Sequence, residues 1–288
     1  MEYVHAKKQS NPYLKTLNLV LEQQEKWVKV HAAEFLLWSG ADTTLVAQTY
    51  RLEEKQHAGL SPYRIGIWRV LYQASTTPSD KKMYLDKIMT AFREGPDHLH
   101  ALETLAKLKI PITNSITAHG AEVLKDQEVT PMYLYGLWNM YYDEGISKDV
   151  IVDKLLTVLI DPTLSSNLRI VACYILRYLP LTTAIKDTLI VLPYQEWGED
   201  VQLQFLCTLL TLGVDEQQVR DKVVRDLLFF DTKPDALPTI MLGLSNIKED
   251  WIWNKMETFY KQLSDIQSPH YNPDFLATGA YAMLKFIN

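Results

Sequence analysis

Cysteine is nearly missing: 288 residues hold only Cys173 and Cys207, both in apolar stretches. So few exclude a disulfide-stapled scaffold, and two buried thiols in a reducing compartment are expected. No apolar run reaches the roughly 18 residues that a membrane-crossing helix needs, so no membrane association is expected. The opening MEYVHAKKQSNPY lacks the apolar core of a signal peptide. A cytoplasmic location is the expectation, although a chain whose leader had been removed would read the same. No Gly-rich phosphate loop, Cys-x-x-Cys, His-Glu-x-x-His or Gly-x-Ser-x-Gly occurs. These absences argue against the commonest nucleotide, zinc and hydrolase chemistries, and leave only scattered carboxylates for catalysis. Basic residues are also in deficit, 29 Lys and Arg against 35 Asp and Glu, for a net charge of −6. Phosphate backbones need clustered cations, so nucleic acid is not an expected partner. The first 70 residues carry +2 and the remainder −8.

Alternating strand patterns are absent too; helical periodicity runs almost throughout. With 47% hydrophobic and 22% charged residues the chain can build a large core, and no composition shift marks a linker, so residues 1–288 read as one domain. Breakers such as Asn11–Pro12, Gly40, Ser61–Pro62, Thr77–Pro78, Thr130–Pro131, Asp161–Pro162, Gly213 and Asn272–Pro273 punctuate about sixteen helices. Asn11–Pro12 has the form of an N-cap with Pro at the first helical position. Only the run from Thr188 to Pro193 leaves helix or strand open.

A small residue recurs at the centre of every second helix: Ala33, Gly66, Ala101, Gly136, Ala172, Cys207, Gly243 and Gly279, at separations of 33 to 36 residues. Four residues on stand Leu37, Val70, Leu105, Met140, Leu176, Thr211, Ile247 and Met283. A small residue lets two helices approach closely, and an apolar one a turn later extends the same buried face. Two helices per unit of about 35 residues is the signature of an α-solenoid. Each small residue is expected to face the first helix of its own pair.

The stretch Val28-Lys29-Val30-His31-Ala32-Ala33-Glu34-Phe35-Leu36 resembles the second helix of short HEAT repeats of the phycobilisome-lyase-like type. That resemblance implies an all-α fold, a right-handed α-α superhelix (a HEAT-like solenoid) of about eight helical pairs, with second helices lining a concave face. It also implies a non-enzymatic binding or scaffold protein that presents this face to a protein or peptide partner.

Three His-x-x-Glu pairs, His31/Glu34, His100/Glu103 and His119/Glu122, could each share one helix face. Helical-repeat hydroxylases of the deoxyhypusine type use adjacent His-Glu pairs for di-iron. Here the pairs fall at different phases of the repeat and do not converge, so neither a metal nor another cofactor is implied.

Polar residues collect four before and three after the central residue, about 20° apart on a helical wheel. Lys29, Arg69, Asp97, Thr104 and Asn139 fall there, with Asn246 further on and aromatics including Trp38, Trp68, Trp138 and Tyr142 nearby. This strip is the expected open surface. Lys29, Arg69, Asp97, Thr104, Trp138 and Asn139 are the candidate ligand contacts, Arg69 foremost, and Arg69→Ala is expected to spare the fold. In later repeats Leu168, Leu203, Ile175 and Leu210 occupy these positions and suggest coverage by other protein. Two residues after the centre lies a second row: Phe35, Trp68, Glu103, Trp138, Tyr174, Leu209, Ser245 and Tyr281. It reads as repeat-to-repeat packing or as a stripe for sugar rings. The alternative function is therefore a carbohydrate-binding or carbohydrate-processing protein using the N-terminal half, with Asp97, Glu103, Asp143 and Glu144 as candidate carboxylates. A ring in which the first and last helical pairs touch would favour it; well-separated ends would favour the scaffold.

Overall fold

The computed structural model describes residues 11–41, 43–112, 128–214 and 216–288. Their regular structure is helical. The fifteen α-helices are α1 (Pro12–Gln23), α2 (Lys26–Trp38), α3 (Thr43–His57), α4 (Tyr63–Ala74), α5 (Pro78–Glu94), α6 (His98–Lys107), α7 (Pro131–Met140), α8 (Lys148–Ile160), α9 (Ser166–Tyr178), α10 (Thr183–Ile190), α11 (Glu199–Leu212), α12 (Gln217–Leu228), α13 (Leu237–Leu244), α14 (Asp250–Leu263) and α15 (Pro273–Ile287). The run from Thr188 to Pro193 is helical only to Ile190 and then turns.

The helices start where local chemistry starts them. Asn11, Thr77, Thr130 and Asn272 each accept a hydrogen bond from a first-turn amide, and Pro follows each of them as the first helical residue. The cap satisfies a donor that the helix leaves unpaired, and Pro has no amide to leave. At the other end, Gly40 (φ +68°) and Gly213 (φ +82°) take the left-handed backbone that a residue without Cβ reaches cheaply.

Helices carrying the eight small residues form an inner layer: α2, α4, α6, α7, α9, α11, α13 and α15. Each packs on the next in that order, and α15 packs on α2, so the inner layer closes on itself. Outer helices α1, α3, α5, α8, α10, α12 and α14 lie against it. α1 wedges against both α2 and α15. At the closure Phe35 stacks on Tyr281 with ring centroids 4.6 Å apart and planes 6° from parallel. His31 Nδ1 meets Asp274 at 2.8 Å, and the Thr16 hydroxyl meets that of Tyr260 at 2.7 Å.

All eight small residues are buried. The expectation that each faces its own outer partner holds only in part. A Cβ on Gly66 would meet Val30 at 2.9 Å and Trp27 at 3.0 Å, both on the preceding inner helix. On Gly243 it would meet Leu227 of its outer partner at 3.1 Å and the Cys207 backbone, on the preceding inner helix, at 3.3 Å. The small residue therefore sits where an inner helix meets both its outer partner and its inner neighbour.

Among the described residues, no helix is long and apolar enough to cross a membrane.

Candidate functional site

The strip expected to be open is largely closed. Arg69 exposes 2% of its surface and forks onto Glu34, Nε to Oε1 at 2.7 Å and Nη2 to Oε2 at 2.9 Å, while Nη1 donates to the Thr104 hydroxyl at 3.2 Å. Thr104 is itself buried. Asp97 is buried against Arg64, whose Nε donates at 2.6 Å, and also accepts from the Ser61 hydroxyl. Asn139 is buried and bridges backbone, accepting from the Ile112 amide at 3.1 Å and donating to the Ile110 carbonyl at 2.8 Å. Trp138 is 1% exposed. Lys29 is half-buried and bound to Glu53 of α3 at 2.6 Å. The closure of the strip has one physical cause. These polar groups satisfy one another between neighbouring repeats, so they need no water. Coverage of the later repeats has a similar source: Ile175 and Leu210 are buried by the chain's own helices, and Leu168 and Leu203 pack on the same core.

The His-x-x-Glu residues are engaged elsewhere. Glu34 holds Arg69, His31 meets Asp274, His100 stacks on Trp27 with centroids 5.6 Å apart, and Glu103 pairs with Lys107 at 2.7 Å. His119 and Glu122 lie outside the described residues. Among the described residues no group of three His, Cys, Asp or Glu is placed to hold a metal.

A different set of side chains converges on the middle of the inner layer. Bonds between neighbours join like positions of successive repeats, such as Trp38 to Gln73 and Arg69 to Thr104, so the inner helices run parallel and in register. Their C-terminal ends share one rim. Trp38 and Tyr178 are the last residues of α2 and α9 and stand 43% and 42% exposed. Tyr281 stacks on Phe35 and meets Trp38 edge-on at 5.8 Å. Tyr178 packs on Trp138 at 5.7 Å and on Tyr174 at 4.9 Å. Lys107 ends α6 and lies over the Tyr174 ring at 5.6 Å. Thus the row two residues after the centre does face inward at Phe35, Trp138, Tyr174 and Tyr281. Trp68 departs from it: its indole donates outward to Glu54 of α3 at 3.0 Å and carries Lys87 of α5 on its face.

Electrostatics here are set by burial and by ion pairing. Desolvation alone would raise Glu34 and Glu103. The positive charges of Arg69 and Lys107 outweigh it and hold both carboxyls below their ordinary range. Burial pushes the Tyr281 hydroxyl up to about 12 and raises those of Tyr174 and Tyr178 further. Tyr178 is thus part-exposed as a residue while its hydroxyl sits in poorly solvated surroundings.

Two grooves lie away from this rim. One of about 410 Å³, between α12 and α14, is lined by Val224, Arg225, Leu228, Phe229 and Trp251. The other, of about 440 Å³, lies along α4 and α5 beside Arg64, Trp68 and Lys87. Comparison with family models, curated proteins and solved structures found no match.

Sequence reasoning missed Tyr178, Arg177 and Lys285 at the rim. The signal was present: they fall five or six residues after the central position, where Trp38, Lys107 and Tyr142 also fall.

Proposed function

We propose that this chain is a non-enzymatic binding protein that takes a protein or peptide segment at the rim formed by the C-terminal ends of its inner helices. The observation that carries the reading is the set of aromatic side chains on this rim, Trp38, Phe35 and Tyr281 in mutual contact and Tyr178 packed on Trp138 and Tyr174, with Trp38 and Tyr178 more than 40% exposed. Aromatic rings give large contact area at low conformational cost, which is why they anchor interfaces. Contact between first and last helices leaves less open concave strip than an extended scaffold would offer, and shifts the reading toward a compact segment. A HEAT-like, right-handed winding belongs to the same proposal, supported by the repeat of about 35 residues and its buried small residues.

A second reading, a carbohydrate ligand, draws on the same aromatic faces and on the touching ends. Sugar processing is less well supported. A general acid needs a carboxyl held above its ordinary range. Glu34 and Glu103 are held below it, and Asp97 is buried against Arg64.

The test is photo-crosslinking in extract of the source cell, with a benzophenone side chain at position 178 in one variant and 229 in another. The rim reading expects a discrete protein adduct from 178 and none from 229. An adduct from 229 alone would move the site to the outer groove.

A further inference from the structure

Besides Lys107, which Glu103 neutralises, three further cations lie at helix ends on this rim, on a chain whose net charge is −6. Arg177 is the penultimate residue of α9, Lys285 lies in the last turn of α15, and Lys248 follows α13. Cations in last turns are ordinarily recruited by the negative end of the helix dipole. Lys248 does this, donating to the carbonyls of Lys285 at 2.7 Å and Phe286 at 2.5 Å. Lys186 does the same at the Leu212 carbonyl. Lys285 does not: among the described residues its ammonium bonds no carbonyl and pairs with no carboxylate. Arg177 is fixed through Nε and Nη2, which bond the Thr208 hydroxyl and the backbone and side chain of Gln204, and among the described residues Nη1 has no hydrogen-bond partner.

Two acids of the inner helices and their turns are committed to other partners. Glu249 binds Arg220 and the Trp251 indole, and Glu103 binds Lys107. Desolvation, with Arg177 and Lys248 adding repulsion, lowers the Lys285 ammonium below its usual range. An unpaired, half-buried cation beside like charges is costly, and an arriving anion relieves that cost.

We infer that the rim recognises a carboxylate carried by its peptide partner, held by Lys285 and the free edge of Arg177 while Phe35, Trp38, Tyr178 and Tyr281 pack against the apolar part. The inference rests on the rim reading given above. Nη1 of Arg177 offers directed N–H donors to a carboxylate and Lys285 a point charge. The carboxylate has two sources, an acidic side chain or a chain terminus, and the probes separate them.

The probe is the peptide EFEEF, acetylated, with its C-terminus either free or amidated, alongside the Gln counterpart QFQQF. Binding to the full chain is read by intrinsic tryptophan fluorescence, with melting curves confirming that each variant is folded. Wild type should bind the amidated acidic peptide saturably. Lys285→Gln, or replacing Glu by Gln in the peptide, should weaken it roughly tenfold or more, the cost of a lost charge-assisted hydrogen bond. Lys285→Arg should retain most of the affinity. If only the free-ended peptides bind, the terminal carboxylate is the source. Equal affinity of wild type and folded Lys285→Gln overturns the anion inference. If Trp38→Ala still abolishes binding in that case, the aromatic rim reading survives alone. No saturable peptide binding up to millimolar concentration overturns the inference, and saturable binding of a triuronate in its place would assign the carboxylate to a sugar.

Discussion

Arg69 shows how much a single side chain depends on its surroundings. Read along one helix it is a charged residue on a polar strip; in the fold it is a buried guanidinium closing a fork on Glu34 and a third bond on Thr104. The expectation that Arg69→Ala spares the fold is therefore replaced. Removing one partner of a buried pair leaves the other charge stranded, which costs about 3–5 kcal/mol. Urea unfolding of Arg69→Ala should show that loss, and the double variant Arg69→Met/Glu34→Leu should recover much of it. Titration gives a second residue-scale prediction. Glu34 and Glu103 sit below the ordinary carboxyl value of 4.5, so the native state holds their protons less tightly than the unfolded chain does. The stability they contribute is complete above that value and is lost as pH falls through their native values. Tyr281, Tyr174 and Tyr178 are raised above 10.0, so their contribution is complete below pH 10 and is lost as pH rises beyond it. Melting temperature against pH should fall on both flanks, the acid flank flattening in Glu34→Gln/Arg69→Met.

At the scale of the element, much was legible. Asn11, Thr77, Thr130 and Asn272 stand before Pro and cap their helices as their side-chain chemistry requires. The small-residue row is buried throughout. What hydropathy could not give was the rotation of each inner helix about its axis. Glu34 to Arg69, Arg69 to Thr104, Trp38 to Gln73 and Gln204 to Thr239 are all separated by 35 residues. Polar groups at the repeat distance pair with one another. A reading that scores each residue alone takes them for solvated, whereas the separation itself was the clue. Helix contact supplies the third prediction. Gly66→Leu must push a side chain into Val30 and Trp27 and should cost about 1–3 kcal/mol in denaturant unfolding. Gly59→Ala, with no atom within 4 Å of its new Cβ, should cost far less.

Closure is a property of the whole molecule, and no period could reveal it, because a repeat fixes each step but not the accumulated turn. Its contacts join residues 243 to 246 apart: His31 to Asp274, Thr16 to Tyr260, Phe35 to Tyr281. An open helical-repeat array can fray from its ends unit by unit. Here the terminal helices hold each other, so unfolding should be one cooperative step. Tryptophan fluorescence and far-UV circular dichroism should give coincident urea transitions, and Phe35→Ala should lower the midpoint for both probes together. Fluorescence leading circular dichroism in wild type would show that the ends open first.

The stacked pair Phe35 and Tyr281 also acts as a clasp on ancestry. Open arrays of helical repeats lengthen by duplicating a unit at a terminus, where the newcomer meets one neighbour and displaces none. Among the described residues the face that a further unit would occupy beyond α15 is already taken by α2. Gain or loss of a single unit would require every angle between neighbours to change at once. The count of units is thus held fixed by geometry, and the chain is left to vary by substitution within its units and in the turns that join them.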